Sequence, residues 1–293
     1  MNVSVCGALN LESVDDKPYQ FLGGAFYVAS SIARYVKDVN LLGCIGTDIT
    51  DDCLELFRNR VQNNNLNLFL NQCQGLNFKH NFYTKSDVES KNFGDYRDFI
   101  YTGKSFATDY LIMVSGSPKL YKSVLNHCTE YNSLVFDSKI VYYQTIIDEV
   151  IELFNECSVY SANSEEMDLL MNNFEIHEPH ELFKVNPKLN IIIHHCHAAG
   201  GTLYRVDGRI VQWSNKRIEE SDEDYKNDIG AGDVFIGTFM GNYIKYDNII
   251  EAIRDAAAAS FYSIMKIGAN IITAYDEYQH CMQHIKITDA WRF

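Results

Sequence analysis

The stretch best suited to chemistry is Asn227-Asp228-Ile229-Gly230-Ala231-Gly232-Asp233-Val234-Phe235. Two glycines and an alanine at a helix entrance leave the first backbone N–H groups bare. These groups converge on one spot, with the positive end of the helix dipole behind them. That is an anion hole. Asp233 falls in the first turn, where the same N–H groups stabilise a carboxylate, and from there it could accept a proton from a bound hydroxyl. A glycine-rich helix start with an ordinary capping aspartate fits these residues as well.

A second cluster, His194-His195-Cys196-His197, contains good zinc ligands. Adjacent strand residues point to opposite faces, so the four are not expected to converge on one ion. His177 and His180 flank Glu178-Pro179 and read as loop residues. The eight cysteines are scattered without a Cys-x-x-Cys pair, so reduced thiols are expected rather than bridges or a metal cage.

These residues need a frame that alternates strands and helices. Val3 to Cys6 reads as a strand closed by Gly7, and Gly23-Gly24 opens a helix with Phe26, Val28, Ala29, Ile32, Ala33 and Val36 at helical spacing. Leu41 to Ile45 is the next buried run, and Asp51 to Gln62 is again helical. Buried-strand candidates follow at Tyr110 to Val114, Ser133 to Phe136, Ser158 to Tyr160 and Leu189 to Ile193. Helical patterns lie between them at Lys119 to Tyr131, Thr145 to Asn155 and Ser164 to Asn173. This rhythm predicts right-handed crossovers and a parallel sheet. Thr202 to Val206 and Ile210 to Trp213 form a hairpin around Asp207-Gly208, a pair suited to a tight primed turn. The last third reads as helical, with Gly230 to Tyr243 and Ile249 to Lys266.

Residues 76–101 break the rhythm. Phe78 to Tyr83 alternates apolar and polar residues, and Asp98 to Tyr101 is expected to answer it across a turn at Lys91 to Asp95. Such an antiparallel insert, bordered by Gly75 and Gly103, is the kind of element that becomes a lid. It gathers Phe82, Tyr83, Phe93, Tyr96, Phe99 and Tyr101.

The chain has 293 residues, 46% of them hydrophobic and 22% charged, enough for a full core and too apolar for disorder. The formal charge of −14 argues against nucleic acid or an anionic membrane as the main partner. No apolar run approaches the roughly 18 residues of a transmembrane helix. Met1 to Asn10 lacks the basic start of a signal peptide. A soluble, cytoplasmic protein is expected.

Gly230-Ala231-Gly232-Asp233, followed by Val234-Phe235 and Gly237, resembles the C-terminal signature of the pfkB-type ribokinase family of carbohydrate and nucleoside kinases. Three further features fall in that family's order. Gly7 to Glu12 resembles its first substrate-binding turn, Gly23-Gly24 its paired-glycine signature, and Asn163-Ser164-Glu165-Glu166 its Asn-x-x-Glu motif. The resemblance implies one Rossmann-like α/β sandwich over residues 1–293, with a mostly parallel central sheet. A small β lid would come from about 76–101 and a short piece at about 12–22. It also implies an ATP- and Mg²⁺-dependent kinase acting on a hydroxyl of a sugar or sugar derivative, with a homodimer through the lid as a possible assembly.

The resemblance assigns roles as well. Asp233 would be the general base, and the amides of Gly230, Ala231 and Gly232 would hold the transferring phosphoryl group. Asn10, Glu12, Gly23, Gly24, Tyr27 and Arg97 would face the substrate. Asn163, Glu166, His195, Gly201, Ala257 and Ser260 would serve ATP, with Glu166 ordering Mg²⁺ through water.

The departures from the pattern are specific. Asn227-Asp228 replaces the frequent Asp-Thr, which puts potassium activation in doubt. The usual Thr-x-Gly-x-x-Gly is replaced by a histidine-rich stretch in which only Gly200-Gly201 survives, leaving His195 as a stand-in phosphate donor. Ala25-Phe26-Tyr27 lacks the family's frequent Asn, a gap Tyr27 could fill. Phe93-Gly94-Asp95-Tyr96 and the short segment between Glu12 and Gly23 resemble the fructoselysine-type kinases. A nucleoside kinase, or a ligand-binding member with reduced catalysis, stand as alternatives.

Overall fold

Short runs of Val, Ile and Leu separated by amphipathic helices build the sheet of the computed structural model. It describes residues 1–7, 9–15, 20–77, 79–82, 91–93, 98–138, 140–196, 200–215, 230–265 and 278–291. Seven strands run parallel in the order β13 (Ile191–His195), β12 (Val159–Asn163), β11 (Ser133–Asp137), β9 (Tyr110–Val114), β1 (Asn2–Gly7), β4 (Asp38–Ile45) and β5 (Asn67–Gln72). Three antiparallel strands extend it beyond β13: β14 (Gly201–Arg205), β15 (Arg209–Asn215) and β16 (Ile285–Trp291).

Alternate residues of each strand feed different cores, as the period of two requires. Val3, Val5, Ile112 and Val114 join one apolar cluster with α1 (Gly24–Ala33), α2 (Asp51–Asn63), α7 (Ala231–Tyr246) and α8 (Ile249–Ile264). Cys6, Leu111 and Met113 join the other, with α3 (Pro118–His127), α4 (Ile140–Glu156), α5 (Ser164–Asn173) and α6 (Leu182–Val185). The result is a three-layer α/β/α sandwich, as the family resemblance implies, and its parallel strands are those the strand–helix rhythm predicts. No helix among the described residues is long and apolar enough to cross a membrane. All eight cysteines are unbridged, and burial pushes the thiols of Cys6, Cys44 and Cys157 well up.

A second sheet of four strands has the order β3 (Gln20–Leu22), β2 (Asn10–Val14), β6 (Lys79–Phe82) and β7 (Lys91–Phe93). The expected lid pieces thus meet, but with a different pairing. β6 pairs with Lys91–Phe93, where a turn is expected, and the connection falls within 83–90, outside the described residues. Asp98 to Tyr101 is not a strand. Phe99 and Tyr101 are buried in the main core, and the Tyr101 amide donates to Ser123 Oγ at 2.8 Å, so this stretch anchors the insert to the sandwich. Asn77, fully buried at the insert's other border, accepts from the Gly46 amide at 2.5 Å and donates to the Leu9 carbonyl at 3.0 Å.

Two further expectations fail. The helix read over Lys119 to Tyr131 stops at His127, because Cys128–Glu130 (β10) pairs with Phe106–Ala107 (β8). The last third is not wholly helical. β16 closes the sheet edge against β15, a pairing between segments some 80 residues apart that no local periodicity announces.

Candidate active site

The strand order reverses at β1, since later strands are laid down on both of its sides, β4 and β5 on one and β9, β11, β12 and β13 on the other. In open α/β sheets the crevice at the carboxyl ends of such strands is where ligands bind. The residues beside it come from β2, the β9 terminus, α1 and α7.

Four described helices begin with a side-chain cap: Thr50 on α2, Ser117 on α3, Asn163 on α5 and Asn248 on α8. The two that start at the crevice do not. α1 starts from Gly23 (φ 117°) and α7 from Gly230 (φ 71°), neither with a side-chain cap. Positive φ at both positions suits glycine, and glycine has no side-chain acceptor to occupy the first-turn N–H groups. Among the described residues, a Cβ built on Gly232 would meet nothing within 4 Å, so no described side chain fills the α7 entrance. A bare entrance of this kind can hold an anion.

Asp233 lies in the first turn of α7, half-buried, and its Oδ1 accepts a hydrogen bond from Ser115 Oγ at 3.2 Å. Ser115 follows β9 with φ 52°, a left-handed conformation that costs a non-glycine residue on the order of 1 kcal/mol or more. Gly24 completes the contact. A Cβ there would stand 2.6 Å from Asp233 Oδ1 and 2.7 Å from Ser115 Oγ, so only glycine leaves both groups in place.

On the β2 side, Tyr27 donates a short hydrogen bond to Glu12 Oε2. Burial, with the Glu12 and Asp233 carboxylates adding to it, pushes the Tyr27 phenol well above its usual value, so it stays a donor. Its proton is committed to Glu12, which makes Tyr27 an orienter of that carboxylate. Asn10 is 7% exposed, and its Oδ1 is buried without a hydrogen-bond partner among the described residues. A buried acceptor without a donor is uncommon in a folded protein. Asn10, Glu12 and Asp233 all present acceptors, an arrangement matched to a ligand rich in hydroxyl donors.

The residues expected to serve ATP lie further along the same strand ends. Asn163, His195 and Gly201 are register neighbours across β12, β13 and β14 and share one face. His194 faces the other way, toward Ser164 Oγ at 3.3 Å, and burial holds its pKa below the usual imidazole range. The two histidines diverge as strand geometry requires, and no group of three metal-ligating side chains occurs among the described residues. Asn163 and Glu166 form a reciprocal capping box, with the Glu166 amide donating to Asn163 Oδ1 at 2.9 Å and the Asn163 amide to Glu166 Oε2 at 3.0 Å. Ala257 is packed into the core, and Ser260 is half-buried one turn on. Arg97, Asn227, Asp228 and His197 lie outside the described residues. Ser115 is the site residue that the sequence reading misses. Its role depends on a backbone twist and on a neighbour 118 positions away, and neither leaves a local signal.

No protein-family model matches the chain, and no curated protein matches it in sequence. Solved structures do match in fold. A nucleoside kinase from Methanocaldococcus jannaschii, an archaeal member of the ribokinase family, superposes with a TM-score of 0.76 at 15% identity, covering 96% of this chain and 98% of that one. Ribokinase from Thermotoga maritima gives 0.72 at 15% identity, covering 97% and 99%. Adenosine kinase from Schistosoma mansoni, in complex with 2-fluoroadenosine, gives 0.72 at 14% identity, covering 94% and 98%. The chain has the ribokinase-like fold.

Proposed function

We propose that this ribokinase-fold chain is an ATP-dependent phosphotransferase that phosphorylates a hydroxyl of a sugar or sugar derivative. The observation that carries the reading is the meeting of two uncapped helix entrances at Asp233, with the glycine at position 24 leaving room for its carboxylate. The open α7 entrance fits a polyphosphate, and a single buried carboxylate at Glu166 fits a magnesium ion that keeps most of its water. Bound Mg²⁺–ATP supplies the phosphoryl group and spreads its charge.

The chain's own residues do the rest. Asp233 takes the proton of the acceptor hydroxyl, and Ser115 fixes which carboxylate oxygen is turned away from the substrate. The amides of Gly230, Ala231 and Gly232 hold the anionic oxygens as charge develops, a positioning role that this chemistry mainly needs. Asn10 and Glu12 receive substrate hydroxyls. Glycines at 23 and 24 bring the α1 entrance close to them. Asn163, His195, Gly201 and Ser260 form the nucleotide side, while Ala257, packed into the core, is not part of its surface. The small sheet is the lid over the substrate within one domain, and the same sheet is the proposed surface for a homodimer in the cytoplasm.

A nucleoside acceptor is the second reading, favoured by the fold shared with a nucleoside kinase and with an adenosine kinase. ADP release from Mg²⁺–ATP, measured across a panel of sugars, amino-sugar adducts and nucleosides, tests both. A sugar or sugar derivative is expected to raise the rate at least about 10² above the water background, the scale of acid–base assistance. Stimulation by nucleosides alone selects the second reading. Binding of panel members without ADP release from any of them would overturn the kinase.

Glu166→Gln separates two roles of one side chain. Glutamine also completes a capping box, so the melting temperature should hardly move. The Mg²⁺ concentration for half-maximal rate should rise about tenfold or more, as for lost metal-orienting groups, while sugar affinity without metal is kept. An unchanged Mg²⁺ requirement would leave Glu166 as a helix cap.

A further inference from the structure

At the far ends of α1 and α7, where they meet the start of α8, the chain forms an open cleft of about 740 Å³. Arg34, Tyr35, Asn242, Lys245, Tyr246 and Asp255 line it. It is distinct from the proposed active site. From Gly24 to Arg34, and from Asp233 to Lys245, the helices run about 15 and 18 Å at 1.5 Å per residue.

The floor is a fixed polar network. Asp255, 2% exposed, accepts from Tyr278 Oη at 2.6 Å, from Asn242 Nδ2 at 2.9 Å and, in a short bond, from Tyr35 Oη. A carboxylate only accepts, so the bond from Nδ2 fixes the Asn242 amide. Asn242 is 6% exposed, and its Oδ1 is left buried without a partner among the described residues. The floor therefore asks for a donor such as a hydroxyl.

The mouth carries the opposite character. Lys245 is exposed and makes no ion pair among the described residues; its ammonium lies 4.9 Å from the centroid of the Tyr246 ring. The Arg34 guanidinium spans mouth and floor: one of its N–H groups donates a short hydrogen bond to Tyr278 Oη, and it lies 4.6 Å from the Tyr278 ring centroid and 5.5 Å from that of Tyr35. These aromatic faces already hold the chain's own cations, which argues against a cationic ligand. Glu251, also at the mouth, is paired with Arg254 at 2.5 Å. Asn248 caps α8 beside it, so the positive end of that helix dipole opens at the same rim.

We propose that this cleft binds a small phosphorylated polyol, its phosphate at the mouth between Arg34 and Lys245 and its hydroxyls toward Asn242 and Asp255. The volume lies in the range of small-ligand sites. The buried Asp255 carboxylate repels an anion from the floor, which sets the orientation. Sugar phosphates and nucleoside monophosphates share this chemistry.

Calorimetric titration of the full chain without ATP tests it, using ribose 5-phosphate, fructose 6-phosphate, adenosine monophosphate, inorganic phosphate and free ribose. At least one phosphorylated polyol should bind saturably, more tightly than inorganic phosphate or ribose, and which one binds distinguishes the two sources. Lys245→Glu, at an exposed position, should leave the melting temperature of the ligand-free protein unchanged and weaken that binding at least tenfold. Lys245→Gln should weaken it less. No saturable binding by any of the three phosphorylated polyols would overturn the proposal. Binding that survives Lys245→Glu unchanged would do the same, because it would belong to another site. Neither result touches the kinase reading, which is measured by ADP release.

Discussion

Asp233→Asn is expected to lower turnover by about 10² or more, the scale of a lost acid–base group, while ATP and substrate bind within a few-fold of the parent chain. The replacement keeps shape, and its amide oxygen can still accept from Ser115 Oγ, so the local geometry has no reason to collapse. Asparagine also serves well at a helix entrance, which limits the stability change to about 1 kcal/mol or less. A mere capping role for Asp233 predicts the opposite pattern: a small loss of stability and near-native turnover. Melting temperature, binding and turnover on this one variant separate the two readings. A stable Asp233→Asn protein with near-native turnover removes the proposed mechanism.

Gly24→Ala should show the reverse of an ordinary glycine substitution. In the first turn of a helix, alanine is by itself the more stable residue by roughly 0.5–1 kcal/mol. Here the added methyl carbon would fall 2.6 Å from Asp233 Oδ1 and 2.7 Å from Ser115 Oγ. These two contacts are with side-chain ends, which can turn aside at modest cost, but a third, with Ser115 Cβ at 2.9 Å, is relieved only by a shift of the Ser115 backbone. The fold should therefore survive with a melting temperature somewhat below the parent's. The carboxylate, however, would be displaced from the acceptor hydroxyl by the order of an ångström, and such misplacement costs about 10² in rate. Turnover should fall by that factor with little change in ATP affinity. A Gly24→Ala protein with full activity would show that Asp233 does not work from the position seen here, even if Asp233→Asn is inactive.

Parts of this site were legible from spacing alone. Gly230 to Asp233 could be read as a bare helix entrance because glycine at a left-handed position and the absence of a capping side chain are both properties of residue type. The divergence of His194 and His195 followed from strand geometry in the same way. The pairing of the strands in the small sheet was not legible. Asp98 to Tyr101 has a strand-like composition, and only the core beneath it shows that Phe99 and Tyr101 are anchors. The end of α3 at His127 and the existence of β16 both depend on partners distant in the chain.

The sequence by itself determined the α/β layering, the parallel sheet and the chemical character of the α7 entrance. All three rest on short-range regularities, namely hydrophobic period, crossover handedness and the special backbone freedom of glycine. Only the tertiary structure decided what meets Asp233. That Gly24 must lack a side chain, that Ser115 turns its hydroxyl onto the carboxylate, and that Tyr27 commits its proton to Glu12 are consequences of packing between β2, β9, α1 and α7. The same holds for the cleft at the far ends of α1 and α7. Arg34, Asn242 and Asp255 are unremarkable in their own helices, and they become a polar floor and a cationic mouth because three helices converge there.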